Sequence, residues 1–455
     1  MRHWLLERLG SFGDAPALSW AAQSLSYASL VERTHAWLAR FPELGIVAGT
    51  VVVVEATFSP QSTALLLALL ERGAVAVPVT PGQRVHREEF EAISQAELTV
   101  VIDEADAHQV TKHARTPGHP LFAQLRSRGH AGLVIFSSGS SGAAKAVLHD
   151  FDALLEKFHA PRQKKTVLTF LLFDHIGGID TLMNALANGG GIVTTPSRDP
   201  DVVLGLVAKH RVHTLPTSPT FLNLVLLSEA WKRHDLSSLH VIAYGTEPMP
   251  LPTLARLNEV LPQVRCVQTY GLSELGVLRS RSRPDGSLWL SFTQEGYQVQ
   301  VRDGVLWVKS PAAMLGYLNA PDLFDADGWL NTQDAVEVEE RTGERGPETW
   351  VRILGRTTDL INVGGQKVYP AEVEAVLLQL PNVADAAVHG EKSPLTGQFV
   401  AARINLVTPE PLDAFKKRLR AFCKDKLAAY KVPVRIELTD EQQFSARFKK
   451  MRKPS

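Results

Sequence analysis

The stretch AGLVIFSSGSSGAAKAV, Ala131 to Val147, joins an apolar run to a segment of four serines, two glycines and a lysine. The apolar run predicts a buried strand, and the segment Ser137–Lys145 predicts a polar loop at its end. Small residues let backbone N–H groups approach phosphate oxygens closely, and lysine adds a mobile positive charge. From these residues alone, a phosphate-holding loop and a plain surface connection are both open.

The P-loop has four residues between its glycines, followed by Gly-Lys-Ser/Thr. Here Gly139 and Gly142 are three positions apart, and Lys145 is flanked by alanines. The P-loop interpretation therefore fails on spacing, although the physical reason for holding a phosphate remains. We expect the loop to lead to a helix that packs it against the body of the protein through one apolar face: Phe151, Leu154, Leu155 and Phe158.

Short apolar runs alternate with helical patterns on both sides of this loop. Strands are predicted at TVVVVEATF (50–58), AVAVPV (74–79), LTVVID (98–103), GIVTT (191–195), LHVIAYG (239–245) and VRCVQTYG (264–271). Continuous apolar strands separated by helices predict an α/β fold with mostly parallel sheets. Ligands in such folds bind at the carboxyl ends of the strands.

The pattern changes after Ser280, where alternating residues and turn signals predict a small antiparallel region. Near Gly355 we expect a boundary between an N-terminal domain (1–354) and a small mobile α+β domain (355–455). In the latter, Gly364 and Gly365 predict a tight turn between two strands, and Pro370 predicts a helix start.

Charge and cysteine content exclude several classes of protein. Lys plus Arg equals Asp plus Glu at 48 each, so no overall field attracts nucleic acid. From Pro411 to Ser455, 13 basic residues face 5 acidic ones, which indicates either a phosphate-rich ligand or a solvated helical face. Two distant cysteines, Cys266 and Cys423, form no disulfide or metal pattern. Without a signal peptide or a membrane-spanning run, we expect a cytoplasmic protein with no membrane insertion.

Five segments, in order, resemble motifs of the acyl-, aryl- and aminoacyl-adenylate-forming superfamily, which includes acyl-CoA synthetases, luciferase and the adenylation domains of peptide synthetases. The resemblance covers essentially the whole chain. The segments are the serine–glycine loop, YGTEPM (244–249), TYGLSE (269–274), GWLNTQDA (328–335) and GRTTDLINVGGQKVYPAEVE (355–374).

This resemblance implies ATP-dependent activation of a carboxylic acid to an acyl-adenylate, with release of pyrophosphate. It implies that Glu274 ligates Mg²⁺, that Asp334 and Arg356 hold the ribose, and that Lys145 and Ser273 act on the phosphates. The other residues that it assigns to the nucleotide are Ser137, Ser138, Gly139, Ser140, Ser141, Gly142, Gly245, Thr246, Glu247 and Tyr270.

The family has a catalytic lysine near the C-terminus, in a segment like Gly-Lys-hydrophobic-x-Arg. In FKKMRK (448–453) the resemblance favours Lys450, because Met451 then fills the hydrophobic position and Lys453 the basic one. Lys449 is the competing assignment. A flexible ammonium there would bridge the carboxylate and the α-phosphate.

The acid site is predicted at FLLFDHIGGIDTL (170–182), with Gly271 as part of its wall. His175 with Gly178 is similar to the His-x-x-Gly of aryl- and acyl-CoA ligases. Asp174 is instead similar to the Asp that pairs with the substrate amino group in amino-acid-activating domains. His175 as a purely structural histidine is a third interpretation.

The resemblance also implies a second step, thioester formation with coenzyme A through a pantetheine channel lined by Gly364 and Gly365. Transfer to the phosphopantetheine of a carrier protein is the alternative, and a non-catalytic nucleotide-binding regulatory relative is another. The sequence departs from the family pattern at Ala144, Gln333 and Thr358.

Overall fold

The computed structural model describes residues 3–138, 144–293, 296–343, 346–445 and 447–452. Two large sheets with helices packed against them form the bulk of the N-terminal part. An antiparallel sheet follows, and a small α+β domain ends the chain. The predicted fold class is confirmed.

The first sheet has seven strands, parallel except for the last pair. In spatial order these are Arg265–Gln268, Val241–Tyr244, Thr214–Thr217, Val167–Thr169, Ile192–Thr194, Pro16–Trp20 and Gln23–Ser26. Continuous apolar strands are the pattern of a sheet buried on both faces.

The second sheet also has seven strands, and its four central strands are parallel. In spatial order these are Gly316–Tyr317, Ala144–Asp150, Gly132–Ser138, Val75–Val79, Val51–Glu55, Leu98–Ile102 and His108–Lys112. All five residues of Val51–Glu55 are buried, as expected for a central strand.

The helices cover these sheets and the C-terminal sheet. Their bounds are Trp4–Gly10, Tyr27–Leu44, Pro60–Arg72, Arg87–Ile93, Pro120–Arg128, Phe151–Leu155, Ile176–Ala187, Pro200–Lys209, Pro219–Ser228, Leu251–Val260, Pro370–Leu377 and Leu412–Cys423.

Helix Pro60–Arg72 illustrates how local sequence sets the bounds. Ser59 caps its first turn by accepting from the Ser62 N–H, and Gly73 ends it in the left-handed conformation at φ 72°, which glycine adopts at little cost.

The predicted helix with Phe151, Leu154 and Leu155 is present, but a strand that the sequence did not predict lies between it and the serine–glycine loop. Strand Ala144–Asp150 pairs antiparallel with Gly132–Ser138, and the short helix Phe151–Leu155 begins only after it, capped by Asp150. The strand was missed because AKAVLHD alternates poorly, whereas its pairing and burial in the second sheet decide its conformation. The apolar residues predicted for the helix, including Phe158, are buried.

The predicted antiparallel region is a six-stranded sheet. Its strands in spatial order are Ser280–Ser282, Trp289–Phe292, Gly346–Arg356, Leu330–Gly343, Val305–Lys309 and Gln298–Arg302. A separate pair, Tyr270–Leu272 and Gly276–Leu278, is also antiparallel. The predicted domain boundary at 354/355 lies two residues before the end of strand Gly346–Arg356.

The C-terminal domain has its own sheet and core. Strand Gly397–Leu406 pairs with three others, and the strands are Gln366–Val368, Ile361–Val363, Gly397–Leu406, Val383–Ser393 and Arg435–Leu438. Helices Pro370–Leu377 and Leu412–Cys423 bury Val373, Leu377 and Phe415 against this sheet. Pro370 occupies the first helical position, as predicted.

Candidate active site

A cleft of about 460 Å³ lies where the first sheet, the antiparallel sheet and the C-terminal domain meet. The segments after strands Val241–Tyr244 and Arg265–Gln268 form one wall, so the cleft is at the carboxyl ends of parallel strands. The sequence-predicted residues that line it are Ser137, Lys145, Thr246, Glu247, Tyr270, Gly271, Glu274, Asp334, Arg356 and Lys450, together with the alternative Lys449.

The two paired strands that flank the serine–glycine loop reach the cleft from the second sheet. Ser137 and Lys145 lie opposite each other in the paired strands, and the Lys145 ammonium lies 5.3 Å from the centre of the Tyr317 ring. The predicted residues Gly139, Ser140, Ser141 and Gly142, and the side chain of Ser138, lie outside the described residues. Lys145 thus brings a positive charge to the end of the strand pair.

An ion pair between Asp334 and Arg356 forms the floor of the cleft. The two residues are partners across the long strands of the antiparallel sheet, and Arg356 Nε lies 2.9 Å from Asp334 Oδ1. The Tyr270 hydroxyl donates to Asp334 Oδ2 at 2.6 Å. Burial raises the pKa of the Asp334 carboxyl, while Arg356 and the Tyr270 hydrogen bond act in the opposite direction. The pair therefore presents a fixed carboxylate and guanidinium to a ligand.

Two backbone positions near these groups have conformations or surroundings that favour glycine, and glycine occupies one of them. Gln333, which departs from the family glycine before Asp334, has φ 60°, a left-handed conformation that favours glycine. At Gly245, an added Cβ would lie 2.5 Å from Thr269 Oγ1 and 2.9 Å from the Thr269 carbonyl oxygen. A side chain at Gly245 would therefore push apart the two strand ends that form the wall.

Glu274 and Ser273 are held by residues from other elements. The Tyr317 hydroxyl donates to Glu274 Oε1 at 2.6 Å. His149, which is fully buried, donates from Nε2 to the Ser273 carbonyl at 2.6 Å, and burial lowers the pKa of His149 to about 4. A neutral imidazole thus fixes the backbone that carries both predicted residues.

Glu247 joins the cleft to the C-terminal tail. Its Oε1 accepts from the Thr220 N–H at 2.8 Å and from the Thr220 hydroxyl. Its Oε2 accepts from the Lys450 backbone N–H at 3.0 Å. Glu247 therefore binds the tail backbone at the peptide bond between the two candidate lysines.

The two candidate lysines have different surroundings. The Lys450 ammonium pairs with Asp385 and donates to the Ala386 carbonyl at 3.1 Å, both within the C-terminal domain. Lys449 lines the cleft as Lys450 does, but within the described part of the chain its ammonium forms no salt bridge. Burial, with the guanidiniums of Arg447 and Arg356, lowers the pKa of Lys449 to about 8.

The predicted acid-site residues lie together beside the tail. Asp174 is buried, and its Oδ2 accepts from the Thr80 hydroxyl at 3.1 Å and from Arg447 at 3.0 Å. His175 caps helix Ile176–Ala187 through its Nδ1, which accepts from the Gly177 N–H at 3.0 Å. Burial, together with the nearby charges of Lys449 and Arg447, lowers the pKa of His175 well below its usual value. His175 is a neutral ring with a structural hydrogen bond.

Comparison with known proteins decides the family. Residues 5–318 match the family described as AMP-binding enzyme, and residues 372–449 match the AMP-binding enzyme C-terminal domain. The chain belongs to the AMP-binding enzyme family. This confirms the resemblance to the adenylate-forming superfamily.

The chain is similar to named relatives and to solved structures. A 2-succinylbenzoate–CoA ligase of Bacillus cereus strain Q1 is 26% identical over 485 residues, covering 100% of this chain and 98% of that protein. A second relative, from Rhodococcus jostii strain RHA1, is named a 3-[(3aS,4S,7aS)-7a-methyl-1,5-dioxo-octahydro-1H-inden-4-yl]propanoyl:CoA ligase. It is 29% identical over 323 residues, and the match covers 68% of this chain and 61% of the relative's length. The crystal structure of an anthranilate CoA ligase in complex with anthranoyl-AMP superposes with a TM-score of 0.82 at 20% identity, covering 99% of this chain and 96% of that one.

The predicted magnesium ligand of this AMP-binding enzyme is chemically suited to its role. Glu274 is half-buried, and only its Oε1 has a hydrogen bond among the described residues, which leaves Oε2 for a hard cation that prefers carboxylate oxygen. Glu274 is thus able to hold Mg²⁺ through Oε2.

Gly364 and Gly365 lie away from the cleft in this arrangement. They form the exposed turn between Ile361–Val363 and Gln366–Val368, with φ 58° and 86°, and the Gly364 N–H donates to the Thr396 carbonyl at 2.8 Å. The predicted turn is confirmed, and their lining of a pantetheine channel stays a prediction.

Three residues that support the site were not identified from the sequence. Tyr317, His149 and Arg447 each position a predicted residue, yet they come from three distant segments. Of these, only His149 had a usable signal, since it is a polar residue at the end of a buried apolar run, next to Asp150. In the described part of the chain, no helix has the length and apolar character needed to cross a membrane.

Proposed function

We propose that this AMP-binding enzyme is an AMP-forming acid–coenzyme A ligase. It converts a carboxylic acid and ATP to an acyl-adenylate and pyrophosphate, then transfers the acyl group to the thiol of coenzyme A. The observation that carries the proposal is the single cleft in which Lys145, Glu274, the Asp334–Arg356 pair and a tail lysine converge. Relatives named as CoA ligases along the whole chain support it.

The chemistry of the first step explains this collection of charges. A carboxylate oxygen of the acid attacks the α-phosphorus of ATP, and the bond from that phosphorus to the bridging oxygen breaks, so that pyrophosphate leaves. Charge then spreads over phosphate oxygens, which cations and hydrogen-bond donors stabilise without any protein nucleophile. In the second step the sulfur of coenzyme A attacks the acyl carbon, and AMP leaves.

The nucleotide side divides into a ribose end and a phosphate end. Asp334, held by Arg356 and Tyr270, offers carboxylate oxygens to ribose hydroxyls. At the other end, Lys145 and the serine–glycine loop would hold the β- and γ-phosphates. Mg²⁺, held by Glu274 when bound, supplies positive charge against the phosphates.

For the catalytic lysine we propose Lys449 in preference to Lys450. Both lysines line the cleft, but the Lys450 ammonium is already paired with Asp385 in the C-terminal domain, whereas no acidic side chain of the described residues pairs with the Lys449 ammonium. Phe448 supports this register, because its φ of 51° is the left-handed conformation favoured by the glycine that precedes the family's lysine. Arg452 then takes the basic position of the family segment.

We propose that the substrate is a small carboxylic acid that has no amino group for Asp174 to bind. Asp174 already has a cationic partner from the chain itself, Arg447 at 3.0 Å. A buried carboxylate that is compensated in this way has little need of a substrate ammonium. The first acids to test are aromatic ones, because a full-length relative is named a 2-succinylbenzoate–CoA ligase.

The test is an ATP–pyrophosphate exchange screen of aromatic, fatty and amino acids with the purified protein. At least one non-amino acid is expected to support exchange, and the same acid should consume coenzyme A thiol and release AMP. Exchange without coenzyme A consumption, but with transfer to a holo carrier protein, would make carrier phosphopantetheine the acceptor. Absence of exchange with every acid would favour the non-catalytic alternative.

A further inference from the structure

At the end of the described part of the chain, residues 443–445 and 447–452 lie side by side. The Met451 N–H donates to the Gln443 carbonyl at 2.8 Å, and the Ser445 N–H donates to the Lys449 carbonyl at 2.9 Å. Phe444 and Lys450 pair in antiparallel fashion. We call this segment the tail loop.

The base of the tail loop is fixed to the C-terminal domain. Arg452 forms two hydrogen bonds with buried Glu374, at 2.9 and 2.8 Å, and Lys450 pairs with Asp385. Arg403 also donates to the Met451 carbonyl at 3.0 Å. These contacts leave the base with little freedom relative to its own domain, and one further bond, from the Lys450 N–H to Glu247 at 3.0 Å, joins the base to the N-terminal part.

The tip of the tail loop instead contacts the N-terminal part of the chain. The Phe448 ring lies edge-to-face with Phe170, at 5.4 Å between ring centres, and with Phe221, at 6.0 Å. Arg447 donates to Asp174 Oδ2 at 3.0 Å. Phe170 and Phe221 belong to the core under the first sheet, so the tip is seated in a rigid surface.

The backbone at Phe448 is in a conformation that a bulky residue adopts at a cost. Its φ is 51°, in the left-handed region where aromatic residues are uncommon. Such strain persists only where the surroundings fix it. The aromatic contacts with Phe170 and Phe221 supply that constraint, which indicates that the ring has a role that glycine would not fill.

We propose that Phe448 is a positioning residue for adenylate formation: its ring anchors the tip of the tail loop in the N-terminal part and thereby places the Lys449 side chain in the cleft. This inference rests on the proposed function of the cleft. Because Lys449 is the next residue in the chain, a shift of the Phe448 backbone moves the Lys449 ammonium by a similar amount. Transfer of the acyl group to coenzyme A needs no cation at that point, so the anchor serves the first half-reaction only.

The test separates the two half-reactions in the full-length protein. Phe448→Ala is expected to lower acid-dependent ATP–pyrophosphate exchange by about 10–100-fold, the scale set by burial of one aromatic side chain. Formation of the thioester from pre-made acyl-adenylate and coenzyme A should be unchanged. Equal loss in both half-reactions would mean a merely structural role and would overturn the proposal.

Two further substitutions distinguish the ring from the backbone. Phe448→Gly removes the ring but suits the left-handed conformation, and we expect exchange to be as slow as in Phe448→Ala. Phe448→Leu keeps an apolar side chain and should recover part of the lost exchange rate. If Phe448→Gly exchanges at the wild-type rate, the ring is unnecessary and the proposal is wrong.

Phe422→Ala is the matched control. Phe422 lies on helix Leu412–Cys423 and packs against the core of the C-terminal domain, so its truncation lowers stability without touching the tip. Its two half-reactions should stay in the wild-type ratio. If Phe422→Ala also lost exchange while keeping thioester formation, the proposed anchoring role of Phe448 would be contradicted. If the wild-type protein exchanged with no acid, the proposed function itself would be refuted.

Discussion

The Asp334–Arg356 pair and the tail loop hold their charged groups in different ways. Asp334 and Arg356 face each other across two long paired strands, with a hydrogen bond from Tyr270. Lys449 projects from a short loop whose base belongs to one domain and whose tip contacts another. The first arrangement is built into a sheet, and the second depends on docking.

This difference has a consequence for the reaction. Groups fixed by strand register are present whether or not the tail loop is seated, so nucleotide binding should not depend on the tail. The lysine, in contrast, lies on the tail loop, which contacts the N-terminal part through Arg447, Phe448 and the Lys450 N–H bond to Glu247, so we expect its place in the cleft to depend on these contacts. We therefore expect tail substitutions to affect the rate of adenylation and cleft substitutions to affect ATP binding.

The largest expected effect is that of Lys449→Ala. Losing a positioned cation from an electrostatic site typically costs about 10²–10³ in rate, so acid-dependent ATP–pyrophosphate exchange should fall by that factor. Lys450→Ala breaks the pair with Asp385 at the base of the loop and should have a smaller effect, about tenfold or less, the cost of one partly buried ion pair.

Exchange rates of both single variants, measured under saturating ATP, decide the assignment. ATP affinity of Lys449→Ala should stay near the wild-type value, because the Asp334–Arg356 pair, which we propose binds the ribose, is intact. If Lys450→Ala is the inactive variant, the register favoured by the hydrophobic position of Met451 is correct and our proposal for Lys449 fails.

An intermediate effect is expected for Asp334→Asn. The substitution keeps the shape but removes the charge that Arg356 compensates, and charge-assisted hydrogen bonds of this kind contribute about 1.5–3 kcal/mol. We expect kcat/KM for ATP to fall by about 10–100-fold, mainly through KM.

Glu337→Gln is its matched control. Glu337 pairs with Arg352 on the same two strands, but that pair is exposed, and exposed pairs contribute about 0–1 kcal/mol. ATP kinetics of this variant should match wild type. A loss of similar size in both variants would show that sheet stability, not ribose binding, is being measured.

The smallest effect concerns pH. The groups around Lys449 are His175, which is neutral, the cations Arg447 and Arg356, which lower the pKa of Lys449 after burial, and Glu247 and Glu274, which raise it. With a pKa of about 8, the ammonium is present below that pH and is lost as pH rises through it. Acid kcat/KM should fall above pH about 8, by about tenfold per unit.

Lys449→Arg keeps the charge at all accessible pH values. Its residual activity should therefore show no alkaline decline. If Lys449→Arg shows the same decline as wild type, the decline in kcat/KM belongs to another group. If the wild-type profile is flat up to about pH 9.5, there is no such decline and the prediction is wrong.

The sequence predicted most of the cleft and little of what supports it. Glu274, Asp334 and Arg356 were recognisable because each lies in a segment that resembles a motif of the adenylate-forming superfamily. Tyr317 and His149 were not, since they come from distant segments and act through hydrogen bonds that only tertiary packing creates. The strand Ala144–Asp150 was missed for the same reason, because the sheet rather than local propensity decides its conformation.

The tail shows where sequence reasoning reaches its limit. Two adjacent lysines carry the same chemistry, and motif alignment by one hydrophobic residue favoured Lys450. The backbone of Phe448 and the partner of Lys450, Asp385, distinguish the two side chains, and neither is visible in the sequence.

The central claim is that the acid attacks the α-phosphate of ATP, and oxygen transfer tests it most directly. The acid that supports the fastest exchange is labelled with ¹⁸O in its carboxyl group and incubated with the protein, ATP, Mg²⁺ and coenzyme A, and the products are analysed by mass spectrometry. One labelled oxygen should appear in AMP and none in pyrophosphate. Acid-dependent formation of ADP, with the label in inorganic phosphate, would contradict the account.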